Sequence, residues 1–322
     1  MSGSVTKSNG RPSRACGFTS ALSRLFSNVP TIDYESAVAA FSRGVLVGLS
    51  HRAEARGNRS LAEHVEFASK VCERDGDALF FSVDSPNEST DPYVLTAALA
   101  QRFANLVLGV CEVAPPVRHP AMLAKVLATT HVIAEGRFAI AMWPKKDDSG
   151  VSSGFARSGE AIEVVRAMLR VDAASMSGPY FPIENAWNEP RFDEPLELGV
   201  VVPQAELVGS APVGNRDLEP VQFAANIADW CLIEMTWAGR ERMNDVVEML
   251  HVESRGAGRA DDDLRLVGLI DASDVRRGSI LVDQALESGV TGVVLDARAA
   301  DDDAEELAPH AAVVGLTMAL RR

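Results

Sequence analysis

Eight short apolar runs are the sequence feature that most limits what this chain can fold into. They are rich in β-branched residues and apolar throughout, which is typical of strands buried on both faces of a parallel sheet. Amphipathic stretches follow them, so strand and helix patterns alternate. Eight such units favour an α/β fold, the (β/α)8 TIM barrel, over a doubly wound sheet. The predicted strands are 44–49, 78–83, 106–113, 138–143, 196–202, 230–235, 264–270 and 290–295.

Three positions mark predicted helix ends. Ser60 stands before the first helical stripe and Asp91-Pro92 before the second, and both are favoured helix starts. Gly289 follows the predicted helix 279–288 and is expected to end it, because glycine tolerates the left-handed conformation common at that position.

Composition narrows the classes of function. The chain has 322 residues, 47% of them hydrophobic, which is enough to bury a core without disulfides or a structural metal. No apolar stretch is long enough to predict a membrane span. The net charge of −14 argues against nucleic-acid binding and favours a soluble, cytoplasmic protein. There is no GxGxxG motif or P-loop, and the scattered cysteines and histidines predict no metal site.

The ends and interruptions of the pattern suggest the domain organisation. The first 32 residues include basic side chains but no acidic one, which predicts a flexible N-terminal arm over 1–33, with a transit peptide as the alternative. The barrel is predicted over 34–322. Two polar segments, 144–157 after the fourth strand and 173–195 after the fourth helix, are expected at the carboxyl-terminal mouth of the barrel. Surface excursions with no role are the alternative.

Five segments carry a family resemblance. In order they are DALFFSVD (77–84), DPYVLTAALAQRFANLVLGV (91–110), RHPAMLAKVLATTHVIAEGRF (118–138), EAIEVVRAML (160–169) and GPYFPIENAWNEPRFDEPLELGVVV (178–202). The set resembles the bacterial luciferase-like superfamily of flavin-dependent oxidoreductases. The last segment is similar to the nitrilotriacetate, EDTA and dibenzothiophene-sulfone monooxygenase branch. The resemblance implies a two-component enzyme that takes reduced FMN from a separate flavin reductase and uses O2 on a small organic substrate.

The resemblance also implies that the flavin lies over the carboxyl ends of the strands. Asp84 then matches a family carboxylate near the flavin, although it could equally be a helix N-cap. Glu112 and Val113 fall where the family has small or hydroxyl residues beside the flavin ring. Glu112 could accept a hydrogen bond from the flavin edge, or it could pair with Arg118 and fill the pocket. The second interpretation is favoured here.

Several positions depart from the family pattern. Ala141 stands where the family has Asn, and Phe155 stands where it has a Tyr near the flavin phosphate, so neither side chain can hydrogen-bond. Gly209 and Ser210 belong to a turn whose spacing differs from that of the family phosphate turn, yet its amides could cradle a phosphate. Arg157 remains as a charge partner. FMN binding is therefore expected to be weak or absent, and Phe155→Tyr is expected to strengthen it.

The remaining candidates lie at the rim of the implied site. His119, where the third helix begins, is a candidate for proton transfer, with a structural helix-start histidine as the alternative. Glu112 is the second catalytic candidate. His51, Trp143 and Trp187 are the candidates for substrate contact.

Three interpretations of function follow from the resemblance. The first is an FMN-dependent monooxygenase. The second, motivated by the missing hydrogen-bonding groups, is a non-catalytic barrel that serves as a partner subunit. The third is a deazaflavin-dependent reductase of the same superfamily. Apolar helices such as 120–134 further predict a homo- or hetero-dimer formed through barrel helices.

Overall fold

The computed structural model describes residues 46–52, 60–73, 78–83, 90–114, 118–144, 155–191, 196–203, 219–260, 263–271 and 280–296. In chain order the elements are β1 (Leu46–Arg52), α1 (Leu61–Glu73), β2 (Ala78–Val83), α2 (Pro92–Ala100), β3 (Val107–Ala114), α3 (Pro120–Ile133), β4 (Phe138–Pro144), α4 (Ala156–Arg170), β5 (Ala174–Met176), β6 (Ile183–Ala186), β7 (Leu198–Val202), α5 (Glu219–Ile227), β8 (Trp230–Met235), a 3-10 helix (Trp237–Arg242), α6 (Met243–Gly256), β9 (Arg265–Asp271), α7 (Ile280–Glu287) and β10 (Gly292–Asp296).

Eight parallel strands close the barrel. Their order is β1-β2-β3-β4-β7-β8-β9-β10, and β10 pairs back to β1. Each barrel strand therefore neighbours the next one along the chain, as in a (β/α)8 barrel. The predicted fold class is confirmed, and the strand ends differ from the prediction by at most three residues. The largest difference is in β1, which extends to Arg52, so His51 lies within this strand rather than beyond it.

The predicted helix boundaries are explained by local hydrogen bonds. The Ser60 amide donates to Glu63 Oε2 at 2.6 Å and the Glu63 amide donates to Ser60 Oγ at 3.3 Å, which is a reciprocal capping box. Asp91 Oδ1 accepts from the amides of Tyr93 and Val94 at 3.0 and 3.2 Å. Gly289 has a φ of +100° just beyond α7, as a helix-ending glycine requires.

Two aromatic rings fill the barrel lumen. Phe80 of β2 and Trp230 of β8 stand on opposite sides of the barrel, and their ring centroids are 6.2 Å apart. Each ring lies against a glycine. A Cβ at Gly109 would come within 2.3 Å of the Phe80 ring, and one at Gly199 within 2.4 Å of the Trp230 ring. The small residues on β3 and β7 therefore make room for the large ones on β2 and β8.

Segment 173–195 differs from the prediction. It contains an antiparallel hairpin, β5 with β6, which packs against α4 and whose following residue Asn188 donates to the Ala124 carbonyl of α3 at 3.3 Å. The segment follows a helix, so it starts at the amino-terminal end of the barrel, where Arg170 pairs with Asp229 at 2.5 Å. Only its tip reaches the opposite end, so the segment as a whole is not a mouth loop.

Other predictions fall partly or wholly outside the described residues. The predicted arm, 1–33, lies outside them, and so do residues 145–154 of the first polar segment. Within the described part of the chain, every helix is too short or too polar to cross a membrane.

Candidate functional site at the carboxyl ends of the strands

The strand register brings several predicted site residues to one end of the barrel. Glu112 pairs with Val83 of β2, and Val113 pairs with Trp143 of β4. Parallel strands place their carboxyl ends on the same face, so Glu112, Val113 and Trp143 share the mouth at the backbone level. Asp84, which would follow β2, lies outside the described residues.

Trp143 and Ala141 differ in what they offer at this mouth. Ala141 is fully buried in the cluster of side chains that fills the barrel lumen, which includes Phe80 and Trp230, and it presents no surface. Trp143, two residues further along β4, is partly exposed and packs against that cluster. The aromatic ring of Trp143, rather than the methyl group of Ala141, is therefore the side chain of β4 that a ligand at the mouth would meet.

His119 is the N-cap residue of α3. Its Nδ1 accepts from the Ala121 amide at 3.3 Å, and its ring lies edge-on to that of Phe181, with centroids 5.8 Å apart. The side chain is exposed. Because Nδ1 is the acceptor, the neutral ring carries its proton on Nε2. His119 therefore caps α3 through Nδ1, and its role in proton transfer stays a prediction.

Arg157 lies in the first turn of α4 and converges on the same ring. Its guanidinium carbon is 5.7 Å from the Phe181 centroid. Among the described residues, no carboxylate forms an ion pair with Arg157. Phe155, the N-cap residue of α4, is 2% exposed and makes no side-chain hydrogen bond to the first-turn amides. The start of α4 therefore combines a positive helix end with an available guanidinium.

Glu160 fixes the position of Phe181. Its side chain is buried, and Oε1 accepts from the amides of Tyr180 and Phe181 at 2.9 and 2.5 Å. We call the cluster of His119, Arg157 and Phe181 the cationic rim, after its guanidinium; the Glu160 carboxylate is engaged by the Tyr180 and Phe181 amides. The rim lies at the carboxyl-terminal end of the barrel because the N-termini of α3 and α4 lie there.

The described partner of Arg118 lies at the start of α2. The Arg118 guanidinium pairs with Asp91 there and lies 5.4 Å from the Tyr93 centroid. The side chain of Glu112 lies outside the described part of the chain, so its favoured pairing with Arg118 stays a prediction. Arg118 is therefore already paired, whereas Arg157 pairs with none of the carboxylates that the structure describes.

Of the other candidates, His51 is next to the last residue of β1, so its backbone lies at the same end of the barrel as that of Glu112. His51 is described only as part of the β1 backbone, and Gly209 and Ser210 lie outside the described residues. Trp187 follows β6 near the base of the hairpin and is 60% exposed. Among the described residues, no group of three or more His, Cys, Asp or Glu could hold a metal ion.

Sequence reasoning missed Phe181 and Glu160. Phe181 lies between Tyr180 and Pro182 in a segment that follows a helix, and nothing in that pattern indicates that the chain returns to the carboxyl-terminal end. Glu160 resembles an ordinary polar residue of an amphipathic helix. The Gly178-Pro179 pair marks a turn in the sequence, but only the structure shows that this turn lies against the buried carboxylate of Glu160.

A closed barrel of eight parallel strands, in which each strand neighbours the next one along the chain, is a TIM barrel. A family model described as luciferase-like monooxygenase matches residues 42–272, and the chain belongs to this family. No curated protein sequence matches the chain significantly.

Solved structures share the fold at low sequence identity. An F420-dependent secondary alcohol dehydrogenase in complex with an F420–acetone adduct is 13% identical, covers 87% of this chain and 100% of its own, and has a TM-score of 0.65. The oxygenating constituent of 3,6-diketocamphane monooxygenase of Pseudomonas putida, in complex with FMN, is 13% identical with 86% and 98% coverage and a TM-score of 0.62. The EDTA monooxygenase of Chelativorans sp. BNC1 is 17% identical with 76% and 67% coverage and a TM-score of 0.53.

Proposed function

We propose that this protein is a flavin-dependent monooxygenase that uses reduced FMN and O2 on a small organic substrate. The observation that carries the proposal is the cationic rim, where Arg157 and His119 converge on Phe181 beside the start of α4. On a chain with a net charge of −14, an available guanidinium at this end of the barrel favours an anionic ligand group. Family membership makes the FMN phosphate the candidate.

The residues present fit a phosphate better than they fit a flavin ring. Arg157 and the first-turn amides of α4 are donors suited to a phosphate. Ala141 and Phe155 provide no side-chain hydrogen bond and are buried. A charge-assisted hydrogen bond is worth about 1.5–3 kcal/mol, so each missing one weakens binding by about 10- to 100-fold. We therefore expect weak FMN binding, with the cofactor delivered in its reduced form by a separate reductase.

The side chains of the chain have three tasks in this proposal. Arg157 binds the phosphate and orients the cofactor. Trp143 offers an apolar surface at the mouth, where a small organic substrate would pack and exclude water. His119, held through Nδ1, would carry or deliver a proton at Nε2. Bound FMN in its reduced form would supply the redox chemistry with O2.

One observation favours a second candidate, a non-catalytic barrel that acts as a partner subunit. Ala141 and Phe155, at positions where the family pattern has hydrogen-bonding side chains, present almost no surface for a ligand. In this case the rim would be retained without a functional flavin site. The F420-dependent structures among the neighbours make a deazaflavin a further ligand to include in the test.

The test is an anaerobic titration of the purified protein with FMN, oxidised and photoreduced, followed by absorbance and fluorescence. We expect reduced FMN to bind in the micromolar to millimolar range. Riboflavin, which has no phosphate, should bind more weakly. Binding of F420 in preference to both would favour the reductase. No binding of any of them at millimolar concentration would favour the partner subunit.

Arg157→Ala tests the proposed phosphate contact. It should weaken FMN binding by about 10- to 100-fold and leave riboflavin binding unchanged. The matched control is Arg118→Ala, which removes a nearby guanidinium that is already paired with Asp91. Equal losses in the two variants would mean that only the general charge of the rim matters.

A further inference from the structure

Glu160 makes an unusual contact for a carboxylate in the first half of a surface helix. It is 8% exposed, and its partners are the backbone amides of Tyr180 and Phe181 at the tip of the hairpin. Its second oxygen, Oε2, also accepts from the Tyr180 amide, at 3.1 Å. A chain segment 20 residues further on is therefore tied to α4 by one side chain.

The absence of a side chain at Gly178 leaves room for this carboxylate. A Cβ added at Gly178 would lie 2.2 Å from Glu160 Cδ and from Glu160 Oε1, far inside the contact distance of real atoms. Only a residue without a side chain lets the hairpin approach so closely. The carboxylate and the glycine together fix where the chain turns towards Phe181.

We propose that Glu160 is a positioning residue for the cationic rim, holding the Phe181 ring between His119 and Arg157 so that the guanidinium is pre-oriented for phosphate. The identity of the ligand rests on the proposed function. The physical basis is pre-organisation, because a long arginine side chain that is already ordered loses less conformational entropy when it binds. A guanidinium near an aromatic face is held by its quadrupole, so moving the ring releases the guanidinium.

Three variants separate this role from a general effect on folding. Glu160→Ala removes the acceptor of both amides, Tyr180 and Phe181, whereas Glu160→Gln keeps Oε1 as an acceptor. Gly178→Ala pushes the carboxylate away without changing it. Glu184→Ala is the matched control, since Glu184 is an exposed carboxylate on β6 of the same hairpin. Circular dichroism melts establish that each variant is folded.

The first measurement is the ratio of FMN to riboflavin affinity. Glu160→Ala and Gly178→Ala should each lower this ratio by about three- to tenfold, and Glu160→Gln should largely restore it. Glu184→Ala should leave it unchanged. The loss should vanish in an Arg157→Ala background, because Glu160 acts through Arg157. A loss that is equal for riboflavin, or that persists without Arg157, would overturn the proposal.

The second measurement needs no flavin. The Phe181 ring shifts the resonances of the nearby His119 ring protons, which two-dimensional NMR resolves and a His119→Gln spectrum assigns. Glu160→Ala and Gly178→Ala should move these resonances to the values seen in Phe181→Leu, and Glu184→Ala should not. Unchanged resonances would overturn the positioning role. If the wild-type protein binds no FMN but the resonances move as expected, the ligand assignment fails and the positioning of the ring stands.

Discussion

Burial separates the two histidines of α3, which the sequence does not distinguish. His119, where the helix begins, is exposed and caps it. His131, in the last turn, is buried, and desolvation lowers its pKa to about 4 even though a backbone hydrogen bond at Phe138 acts in the opposite direction. The buried histidine therefore contributes to pH-dependent stability.

The free energy of unfolding should therefore fall as the pH is lowered from about 6.5 to about 4. In this window the unfolded chain binds a proton at His131 and the folded chain does not, so acid favours unfolding. The loss is about 2–4 kcal/mol. Urea unfolding at pH 7 and pH 4.5 measures it. His131→Gln should flatten the dependence, whereas an equally steep slope in that variant would assign it to other groups.

The burial of Phe155 changes the effect that we expect from Phe155→Tyr. Because Phe155 is 2% exposed, an added hydroxyl would be buried rather than aimed at a phosphate. We now expect the substitution to lower the free energy of unfolding by about 1–3 kcal/mol and leave FMN affinity unchanged. Thermal melts measure the change in stability, and the flavin titration measures the FMN affinity. Tighter FMN binding without a loss of stability would restore the original expectation.

At the scale of elements, the barrel strands could be predicted from the sequence and the β5–β6 hairpin could not, because their side chains are buried to different degrees. The eight barrel strands are apolar throughout because both of their faces are covered, and this pattern is visible in the sequence. Strands β5 and β6 are short and half-exposed, and the residues Ala173 and Asn185 have positive φ. Propensity rules do not predict such a hairpin. The sequence therefore does not predict that Phe181 lies beside Arg157 and His119.

The packing of glycine against rings in the lumen gives a prediction at this scale. Gly199→Ala would force the Trp230 ring to move and should lower the free energy of unfolding by about 1–3 kcal/mol. Gly256→Ala, at the end of α6 with open space around it, is the control and should be neutral or slightly stabilising. Denaturant midpoints compare the two variants. An equal cost for both would mean that the lumen relaxes around the methyl group.

For the whole molecule, the sequence establishes the barrel but only part of its site. The closure of eight strands, the helix caps and the shared position of Glu112, Val113 and Trp143 follow from periodicity and from the geometry of parallel strands. The partner of Arg118 could not be predicted, because Asp91 is 27 residues away in the chain and on another helix. Contacts of that kind depend on how α2 and α3 pack.

The dimer through barrel helices stays a prediction, and two exposed apolar side chains offer a test of it. Val94 of α2 is 69% exposed and Met122 of α3 is 58% exposed, and the two helices are joined by the Gln101 side chain, which donates to the Ile133 carbonyl at 2.7 Å. We expect the protein to sediment as a dimer. Val94→Glu and Met122→Glu should shift it to a monomer, because a charge would be buried in the interface. Val252→Glu, on exposed α6, should not. A monomeric wild-type protein at micromolar concentration would contradict the expectation.

The contact between Phe80 and Trp230 has a consequence for how the folding of this chain can be followed. The two residues are 150 positions apart and lie on strands four places from each other in either direction around the ring. A flat sheet of these strands keeps the two rings apart, so we expect their contact to form only as the sheet curls into the barrel. Trp230 is therefore a built-in optical probe of ring closure. In a chain whose other tryptophans are replaced by phenylalanine, its emission in stopped-flow refolding would time that event separately from the formation of helices.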